Sequence, residues 1–377
     1  MTRARLRDIG LSVGRLPPGP HNAITDVGGV RVGHVTLVSG EGPLRPGEGP
    51  VRTGVTAILP HAANLFREKV RGAVHTINGF GKVFGFEEVR ELGVIEAPVT
   101  LTNTLNVGLV ADGVLQYAIR QSPEIGVRTS SVNTVVGETN DGYLNDVQGR
   151  HVGAEHVWQA IESAASGPVA EGAVGAGTGT SCFGWKGGIG TASRVLPGEA
   201  GGYTVGALVQ SNFGHPRDLT VCGVPVGEYV QPPGVSEGRQ PEKGSVMVVL
   251  ATDAPLSARQ LRRLCVRAAA GLARTGSHYG HGSGDFVIAF STAFRIPHRV
   301  SFSSSVGTGD LTCTQTMLSD EARAMAWLLP AVVESVEEAV LNSLFRAETL
   351  VGRDGHTRYA LPVDEVVALT KGRGSSR

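Results

Sequence analysis

The chain changes character most abruptly at residues 231–252. A polar stretch rich in Pro and Gly, QPPGVSEGRQPEK, runs up to Gly244, and an unbroken apolar run follows from Val246 to Ala251. An apolar run of this length, bounded by turn-forming residues, is typical of a strand buried on both faces. The pattern therefore predicts a core strand over 246–252 that begins directly after Gly244 and Ser245.

Apolar positions recur at intervals of three and four residues in several other segments. This spacing predicts helices over Thr104–Gln121, over Ala154–Ala165 and after Ser257, whose hydroxyl can cap the first turn. A longer helix is predicted over 319–350, and Pro330 inside it should produce a kink or a break.

Shorter β-like runs occupy much of the remaining chain. The predicted strands are Val30–Val38, Val55–Leu59, Ser131–Val136, Gly202–Gln210 and Asp285–Thr292. Strands and helices mix without a regular βαβ order, which favours the α+β class. We therefore expect a layered sandwich that forms a single domain over residues 1–377.

The glycine-rich segment Gly172–Ser193 resembles a phosphate-binding loop at first sight. It lacks the Gly-Lys-Ser/Thr ending of a P-loop, and its glycine spacing leaves no room for the helix that follows a dinucleotide-binding fingerprint. It is better read as strand–turn–strand, with glycines where backbones approach closely.

Composition narrows the functional classes. The 377 residues are 41% hydrophobic and carry no formal net charge, so the basic surface of a nucleic-acid binder is not expected. Four cysteines, spread from Cys182 through Cys222 and Cys265 to Cys313, suggest neither a zinc ribbon nor a disulfide framework. The N-terminal residues are basic but are not followed by the apolar segment of a signal peptide, and no apolar segment is long enough to span a bilayer. We therefore expect a cytoplasmic protein without membrane contact.

The Gly244–Ser245 pair could support self-cleavage. If the bond before Ser245 is cut, one residue carries both a hydroxyl and an α-amine that titrates near pH 8. That amine can act as general base for the hydroxyl without a histidine. The residues alone favour a plain strand-entry turn, because most Gly-Ser pairs are just that.

Six ordered sequence blocks change this balance. They are HNAITDVGGVRVGHVTL (21–37), LTNTLNVG (101–108), VVGETNDGYLND (135–146), GAVGAGTGTSCFGWKGGIGTASR (172–194), VQSNFG (209–214) and GSVMVVLATDAPLSARQLRRL (244–264). Together they resemble the DmpA-type family of L-aminopeptidase/D-esterases and β-peptidyl aminopeptidases, peptidase family S58. The resemblance extends over essentially the whole chain.

The resemblance implies a fold and a processing event. The expected fold is a four-layer αββα sandwich, similar to Ntn hydrolases but with different strand connectivity. Self-cleavage would give a larger fragment, 1–244, and a smaller fragment, 245–377, that begins with the serine nucleophile. The family also implies a homotetramer of processed protomers.

Residue roles follow from the resemblance position by position. Ser245 matches the nucleophile, and Asn212 matches a side-chain donor to the oxyanion, although an Asn-x-Gly turn is the plain alternative. Ser283 and Asp285 resemble a Ser-x-acid element that relays or orients a proton. The plain alternative is a Ser-Gly-Asp turn before a strand.

Glu138 matches the acid that binds the substrate ammonium, and Tyr143 matches a tyrosine at the site that could donate to the oxyanion or the substrate. Asp141 and Asp146 are alternative carboxylates in the same polar loop. The segment Asn78–Gly85 departs from the family, because Lys82 lies where an acidic residue is often seen.

The sequence leaves three functions open. The leading one is a serine aminopeptidase or amidase that releases N-terminal residues from short peptides, amides or esters. The alternatives are an N-acyl transferase on a related fold and a non-catalytic binding protein. No cofactor is expected. His278 and His281 form a His-x-x-His motif on a glycine-rich loop without a third ligand, so no metal site is expected either.

Overall fold

The structure is a computed structural model that describes residues 3–234, 243–298 and 314–374. The strands are β1 (Arg31–Ser39), β2 (Val51–Leu59), β3 (Glu68–Gly79), β4 (Val94–Ile95), β5 (Val99–Asn103), β6 (Val135–Thr139), β7 (Ser181–Cys182), β8 (Trp185–Lys186), β9 (Ile189–Val195), β10 (Thr204–Asn212), β11 (Lys243–Thr252), β12 (Gly282–Pro297), β13 (Leu350–Val351) and β14 (Thr357–Arg358). The helices are α1 (Phe86–Leu92), α2 (Val107–Gln121), α3 (Ala154–Glu162), α4 (Ala258–Arg274), α5 (Glu321–Arg346) and α6 (Val363–Gly374).

Two β-sheets pack face to face, with helices on both outer surfaces. The larger sheet has the strand order β4-β3-β12-β11-β10-β9, and the smaller sheet has the order β1-β2-β5-β6. Helices α4 and α5 cover the larger sheet, and α2 and α3 cover the smaller one. Three apolar cores separate these layers. The architecture is the expected four-layer αββα sandwich.

Strand β11 lies in the middle of the larger sheet and is buried on both faces. Its even-numbered apolar residues, Val246, Val248 and Leu250, face the core beneath the helices. Met247 and Val249 face the other sheet. Side chains alternate between the two faces of a strand, so only an unbroken apolar run can fill both cores. This explains the run predicted from the sequence.

The neighbours of β11 bring three chain segments together at its beginning. Strand β10 is antiparallel to β11 and ends where β11 begins, which pairs Asn212 with Ser245. Strand β12 is parallel and pairs Gly284 with Ser245. The register therefore places the start of β12 and the end of β10 on either side of Ser245.

Several predicted elements differ in their bounds. The strand predicted at Ser131–Val136 lies instead at β6, so Glu138 is within the strand and not in the following turn. Strand β12 begins earlier than predicted and contains Ser283. Helix α5 continues through Pro330 without interruption.

Other predictions agree closely or lie outside the described residues. The cap at Ser257 is confirmed, because its hydroxyl oxygen accepts a hydrogen bond from the Gln260 backbone at 3.3 Å. Cys313 and most of the polar stretch before Gly244 lie outside the described residues. Across the three described ranges, no helix is both long and apolar enough to cross a bilayer.

A buried charge network ties α5 to β9 and to the start of the chain. Arg194 donates to Glu334 at 2.9 Å and to Glu338 at 2.7 Å. Arg7 donates twice to the same Glu338 carboxylate, at 2.7 and 2.9 Å, and Asn22 adds a contact at 2.5 Å. Buried charges are tolerated when they are paired and hydrogen-bonded in this way. The network fixes the long helix against the sheet.

Candidate active site

Ser245 lies at the start of β11 with its hydroxyl between two hydrogen-bond donors. The Asn212 side-chain nitrogen Nδ2 lies 3.1 Å from Ser245 Oγ, and the Asn140 backbone nitrogen lies 3.2 Å from it. Ser245 is only 4% exposed, yet it lines a deep cleft. Its hydroxyl is therefore fixed in position and still open to a substrate.

The amide of Asn212 is held in one orientation. Its Oδ1 accepts a hydrogen bond from the Ser181 backbone N–H at 3.0 Å, which turns the Nδ2 group towards Ser245. The Ser181 hydroxyl in turn accepts a hydrogen bond from Arg358 Nε at 2.8 Å. A donor fixed before the reaction stabilises a developing oxyanion without reorganisation.

The residue before the nucleophile must be glycine for reasons of space. A Cβ atom on Gly244 would lie 2.8 Å from Phe213 Cα and 2.9 Å from the Asn212 carbonyl oxygen. These distances are shorter than real Cβ contacts, and the φ angle of Gly244 is not left-handed. The structural reason for a glycine here is this close approach of β10 and β11.

The cleft has a volume of about 1040 Å³ and gathers most of the predicted site residues. Its walls include Glu138, Tyr143, Asn212, Gly244 and Ser245. Ser283 and Asp285 are not among the residues that line it.

Ser283 and Asp285 lie within β12, beside the nucleophile strand. They are two residues apart and so share one face of the strand. Ser283 Oγ donates to Asp285 Oδ1 at 2.6 Å, and both side chains are almost completely buried. The hydroxyl–carboxylate pair expected from the sequence is present, and it lies in a strand and not in a turn.

Glu138 is the carboxylate that faces the cleft. It lies at the end of β6, is 3% exposed, and accepts a hydrogen bond from the Lys82 backbone N–H at 2.9 Å. Burial raises the pKa of this carboxyl, while the Lys82 N–H, the Lys82 ammonium and the Thr104 hydroxyl act in the opposite direction. The structure thus keeps a partly compensated carboxylate close to Ser245.

The two alternative carboxylates, Asp141 and Asp146, make hydrogen bonds within the protein. Asp141 is fully enclosed and accepts a hydrogen bond from Asn145 at 3.0 Å, and burial raises its pKa to about 7. Asp146 accepts hydrogen bonds from the Gly47 backbone at 2.8 Å and from the Gly149 backbone at 3.2 Å. Neither is among the residues that line the cleft.

Tyr143 belongs to a stacked cluster in the cleft wall with His356 and Arg358. Its ring stacks on His356 with centroids 4.5 Å apart, and the Arg358 guanidinium lies 3.6 Å from the ring centroid. Burial lowers the pKa of Arg358, and Tyr143 opposes this effect. In the structure, the second donor to Ser245 Oγ is the Asn140 backbone.

Sequence reasoning missed three contributors: Asn140, Ser181 and Arg358. Asn140 acts through its backbone N–H, which any residue other than proline provides. Ser181 lies in the quoted block 172–194, but Arg358 lies in none of the quoted blocks, and its contact with Ser181 depends on the β13–β14 hairpin returning to the cleft. The glycine-rich block around Ser181 was the available signal, because it marks close backbone approach.

The His278–His281 motif forms no metal centre in the described structure. Within residues 3–234, 243–298 and 314–374, no three His, Cys, Asp or Glu side chains are grouped as a metal would require.

Comparison with known proteins identifies the family. The model of peptidase family S58 matches residues 22–358. The chain is 44% identical to the β-peptidyl aminopeptidase BapA of Sphingosinicella microcystinivorans, over 97% of this chain and 92% of the relative.

Solved structures agree with this assignment. The PH0078 protein from Pyrococcus horikoshii OT3 matches with a TM-score of 0.90 and 49% identity, covering 98% of this chain and all of the other. The L-aminopeptidase D-Ala-esterase/amidase of Ochrobactrum anthropi, described as a variant of the Ntn-hydrolase fold, matches with a TM-score of 0.86 and 39% identity, covering 98% and 99%. The chain belongs to peptidase family S58.

Proposed function

We propose that Ser245 is the nucleophile of a self-processing aminopeptidase or amidase. The activity class follows from the family and from the aminopeptidase names of its relatives. The observation that supports the assignment to Ser245 is its hydroxyl, held between Asn212 Nδ2 and the Asn140 N–H in a cleft that also contains Glu138.

The first reaction is cleavage of the chain before Ser245. Its Oγ attacks the Gly244 carbonyl carbon, the C–N bond breaks, and the nitrogen takes the proton as the new α-amine. Water then hydrolyses the Gly244 ester and returns the hydroxyl to Ser245. Gly244 itself lines the cleft, and its missing Cβ permits the close contact with β10.

In the second reaction, the freed α-amine activates the hydroxyl for attack on a substrate. An amine with a pKa near 8 is a competent base at neutral pH. The Asn212 amide and the Asn140 N–H stabilise the oxyanion, a contribution worth about 3 kcal/mol for each such donor. The leaving amine takes the proton, and water hydrolyses the acyl-enzyme ester.

Glu138 gives the reaction its preference for free amino termini. A buried carboxylate next to the nucleophile is a natural partner for an ammonium group. This favours hydrolysis of free-amine substrates over transfer of acyl groups between blocked amino acids. The Ser283–Asp285 pair lies in the neighbouring strand, where it can orient the Ser245 amine or relay its proton.

Replacement of the nucleophile tests the proposal. Ser245→Ala should abolish hydrolysis of amino-acid amides, because no other described hydroxyl occupies the position between the two donors. Ser163→Ala is the matched control: this serine is exposed on the end of α3, where its Oγ lies 3.4 Å from the Ala160 carbonyl. Amide hydrolysis that survives in Ser245→Ala would contradict the assignment.

Assembly and location are further proposals. The family resemblance supports a homotetramer of processed protomers acting in the cytoplasm on small peptides, amides or esters. Light scattering of the processed protein tests the oligomeric state, with a mass of four protomers as the expected result.

A further inference from the structure

The cleft wall carries a second charge beside the ammonium-binding carboxylate. Lys82 lies in the loop after β3, and its ammonium Nζ donates to Thr104 Oγ1 at 3.0 Å. The Thr104 hydroxyl also lowers the pKa of the Glu138 carboxyl, against the effect of burial. All three residues line the same cleft as Ser245. Lys82 thus contacts both of the other residues, Thr104 through its ammonium and Glu138 through its backbone N–H.

The two charges are placed side by side but are not ion-paired. Among the described residues, no ion pair joins Lys82 to Glu138 or to another carboxylate. Glu138 instead receives the Lys82 backbone N–H at 2.9 Å. This arrangement leaves the Glu138 oxygens able to accept, and the Lys82 ammonium able to donate, further hydrogen bonds to a ligand.

The two charges lie on the same side of the cleft as the strand that pairs with Ser245. A Cβ on Gly81 would lie 3.0 Å from Glu138 Oε1 and 3.2 Å from Gly284 Cα, and Gly284 is the direct partner of Ser245 across β11 and β12. Since Lys82, Glu138 and Ser245 line one cleft, a single ligand there can contact all three.

The opposite charges of Glu138 and Lys82 determine which substrate head group this part of the cleft can bind. Glu138 and Lys82 together have no net charge, so a head group with only an ammonium is attracted by one and repelled by the other. A head group with both an ammonium and a carboxylate satisfies both. Charge-assisted hydrogen bonds to each would add affinity that the monocation lacks.

We propose that the enzyme selects a zwitterionic first residue, namely an aspartate linked to the rest of the substrate through its side-chain carboxyl group. In such a β-aspartyl amide, the α-ammonium and α-carboxylate are on one carbon, a single methylene away from the scissile carbonyl. Viewed from that carbonyl, the residue is a β-amino acid with a carboxylate substituent. This inference depends on the proposed function, because it names the substrate class of the same site.

The reaction is the same hydrolysis. Ser245 Oγ attacks the side-chain carbonyl, the amide C–N bond breaks, and the leaving amine takes a proton. Water then hydrolyses the ester to release free aspartate. Throughout, Glu138 holds the ammonium and Lys82 holds the α-carboxylate.

Three p-nitroanilides test the inference on the full-length processed enzyme: β-aspartyl, β-alanyl and α-aspartyl. The β-alanyl compound lacks only the carboxylate. Wild type should prefer β-aspartyl to β-alanyl by about 10- to 100-fold in kcat/KM, the range expected for a hydrogen bond to a charged group. It should also prefer β-aspartyl to α-aspartyl.

Variants at Lys82 separate recognition from folding. Lys82→Met should slow β-aspartyl hydrolysis and accelerate β-alanyl hydrolysis, because the repulsion of the ammonium is removed; a misfolded variant would lose both. Lys82→Arg should retain the preference. Lys371→Met, an exposed lysine on α6 away from the cleft, should leave both rates unchanged.

Each contrary result has a distinct meaning. The inference is overturned if wild type hydrolyses β-alanyl as fast as β-aspartyl, if the preference survives Lys82→Met, or if α-aspartyl is the better aspartyl substrate. In those cases Ser245-dependent amide hydrolysis still stands and the proposed function is intact. If no free-amine amide or ester is hydrolysed, both the inference and the proposed function fail.

Discussion

Two buried glutamates, Glu338 on α5 and Glu138 on β6, show how the same side chain serves structure in one place and chemistry in another. Glu338 is 0% exposed and is surrounded by Arg7, Arg194 and Asn22. Glu138 is 3% exposed and faces a cleft. Burial is nearly equal, so the difference lies in the partners.

The pKa values move in opposite directions. Burial alone would raise the pKa of Glu338, but Arg7, Arg194 and Asn22 outweigh burial and lower it. Burial also raises the pKa of Glu138, and the weaker contacts from Lys82 and Thr104 do not offset it. The structural carboxylate is satisfied by the fold, whereas the cleft carboxylate retains capacity for a partner that the chain does not supply.

Removing the structural carboxylate should have the largest effect. Glu338→Ala leaves the buried Arg194 and the half-buried Arg7 with reduced compensation, and we expect a loss of about 3–5 kcal/mol in the free energy of unfolding. Denaturant unfolding measures this change. Glu321→Ala is the control, because Glu321 also pairs with two arginines, Arg259 and Arg263, but on the surface. Similar losses in both variants would contradict the comparison.

Removing the charge of the cleft carboxylate should affect activity instead of stability. Glu138→Gln should reduce kcat/KM for a free-amine amide by roughly 100-fold, the loss of one charge-assisted hydrogen bond. The unfolding free energy should stay unchanged or rise, because an incompletely paired buried charge is removed.

Glu88→Gln provides the control for that measurement. Burial, together with Glu96, raises the pKa of Glu88 to about 7, but Glu88 is not among the residues that line the cleft. Its replacement should leave kcat/KM unchanged. A Glu138→Gln enzyme that unfolds easily but retains its kcat/KM would assign Glu138 to structure.

The two glutamates should also change the free energy of unfolding with pH in opposite directions, which is a smaller effect. The raised pKa of Glu138 means that its contribution to stability is present at low pH and is lost as pH rises through that pKa. For Glu338 the sign is reversed: its contribution is lost as pH falls through the lowered pKa.

Activity should follow Glu138 alone. As pH falls through its raised pKa, the carboxyl becomes neutral and KM for a free-amine substrate should rise, with a midpoint above the value of about 4.3 for an ordinary glutamate. A pH series of kcat/KM measures this limb, and Glu138→Gln should remove it. An acid limb that is unchanged in the variant would assign it to another group.

The central parts of the fold were accessible from the sequence because they depend on local pattern. The apolar run after Ser245 predicted β11, and the Ser257 cap predicted the start of α4. The bounds of β6 were missed because Glu138 and Thr139 are polar residues in a buried strand. The Glu138 side chain faces the cleft, and the buried Thr139 hydroxyl accepts a hydrogen bond from Gln210 Nε2 at 2.8 Å, so the hydrophobic pattern ends too early.

The site could be predicted only where a side-chain type carries the chemistry. The side chains of three residues indicate their chemistry directly: a hydroxyl nucleophile at Ser245, an amide donor at Asn212 and a carboxylate at Glu138. Asn140 contributes a backbone N–H, and Arg358 reaches Asn212 through Ser181. Such contributions depend on how the strands are paired and on where the β13–β14 hairpin packs. The order of residues along the chain does not contain this information.

Mass analysis of the purified protein tests the central claim most directly. If Ser245 cleaves its own chain, wild type should consist of a fragment that ends at Gly244 and one that starts at Ser245, while Ser245→Ala should remain a single chain. An intact wild-type chain that hydrolyses amino-acid amides at full rate, or a Ser245→Ala protein cut at the same bond, would contradict the account.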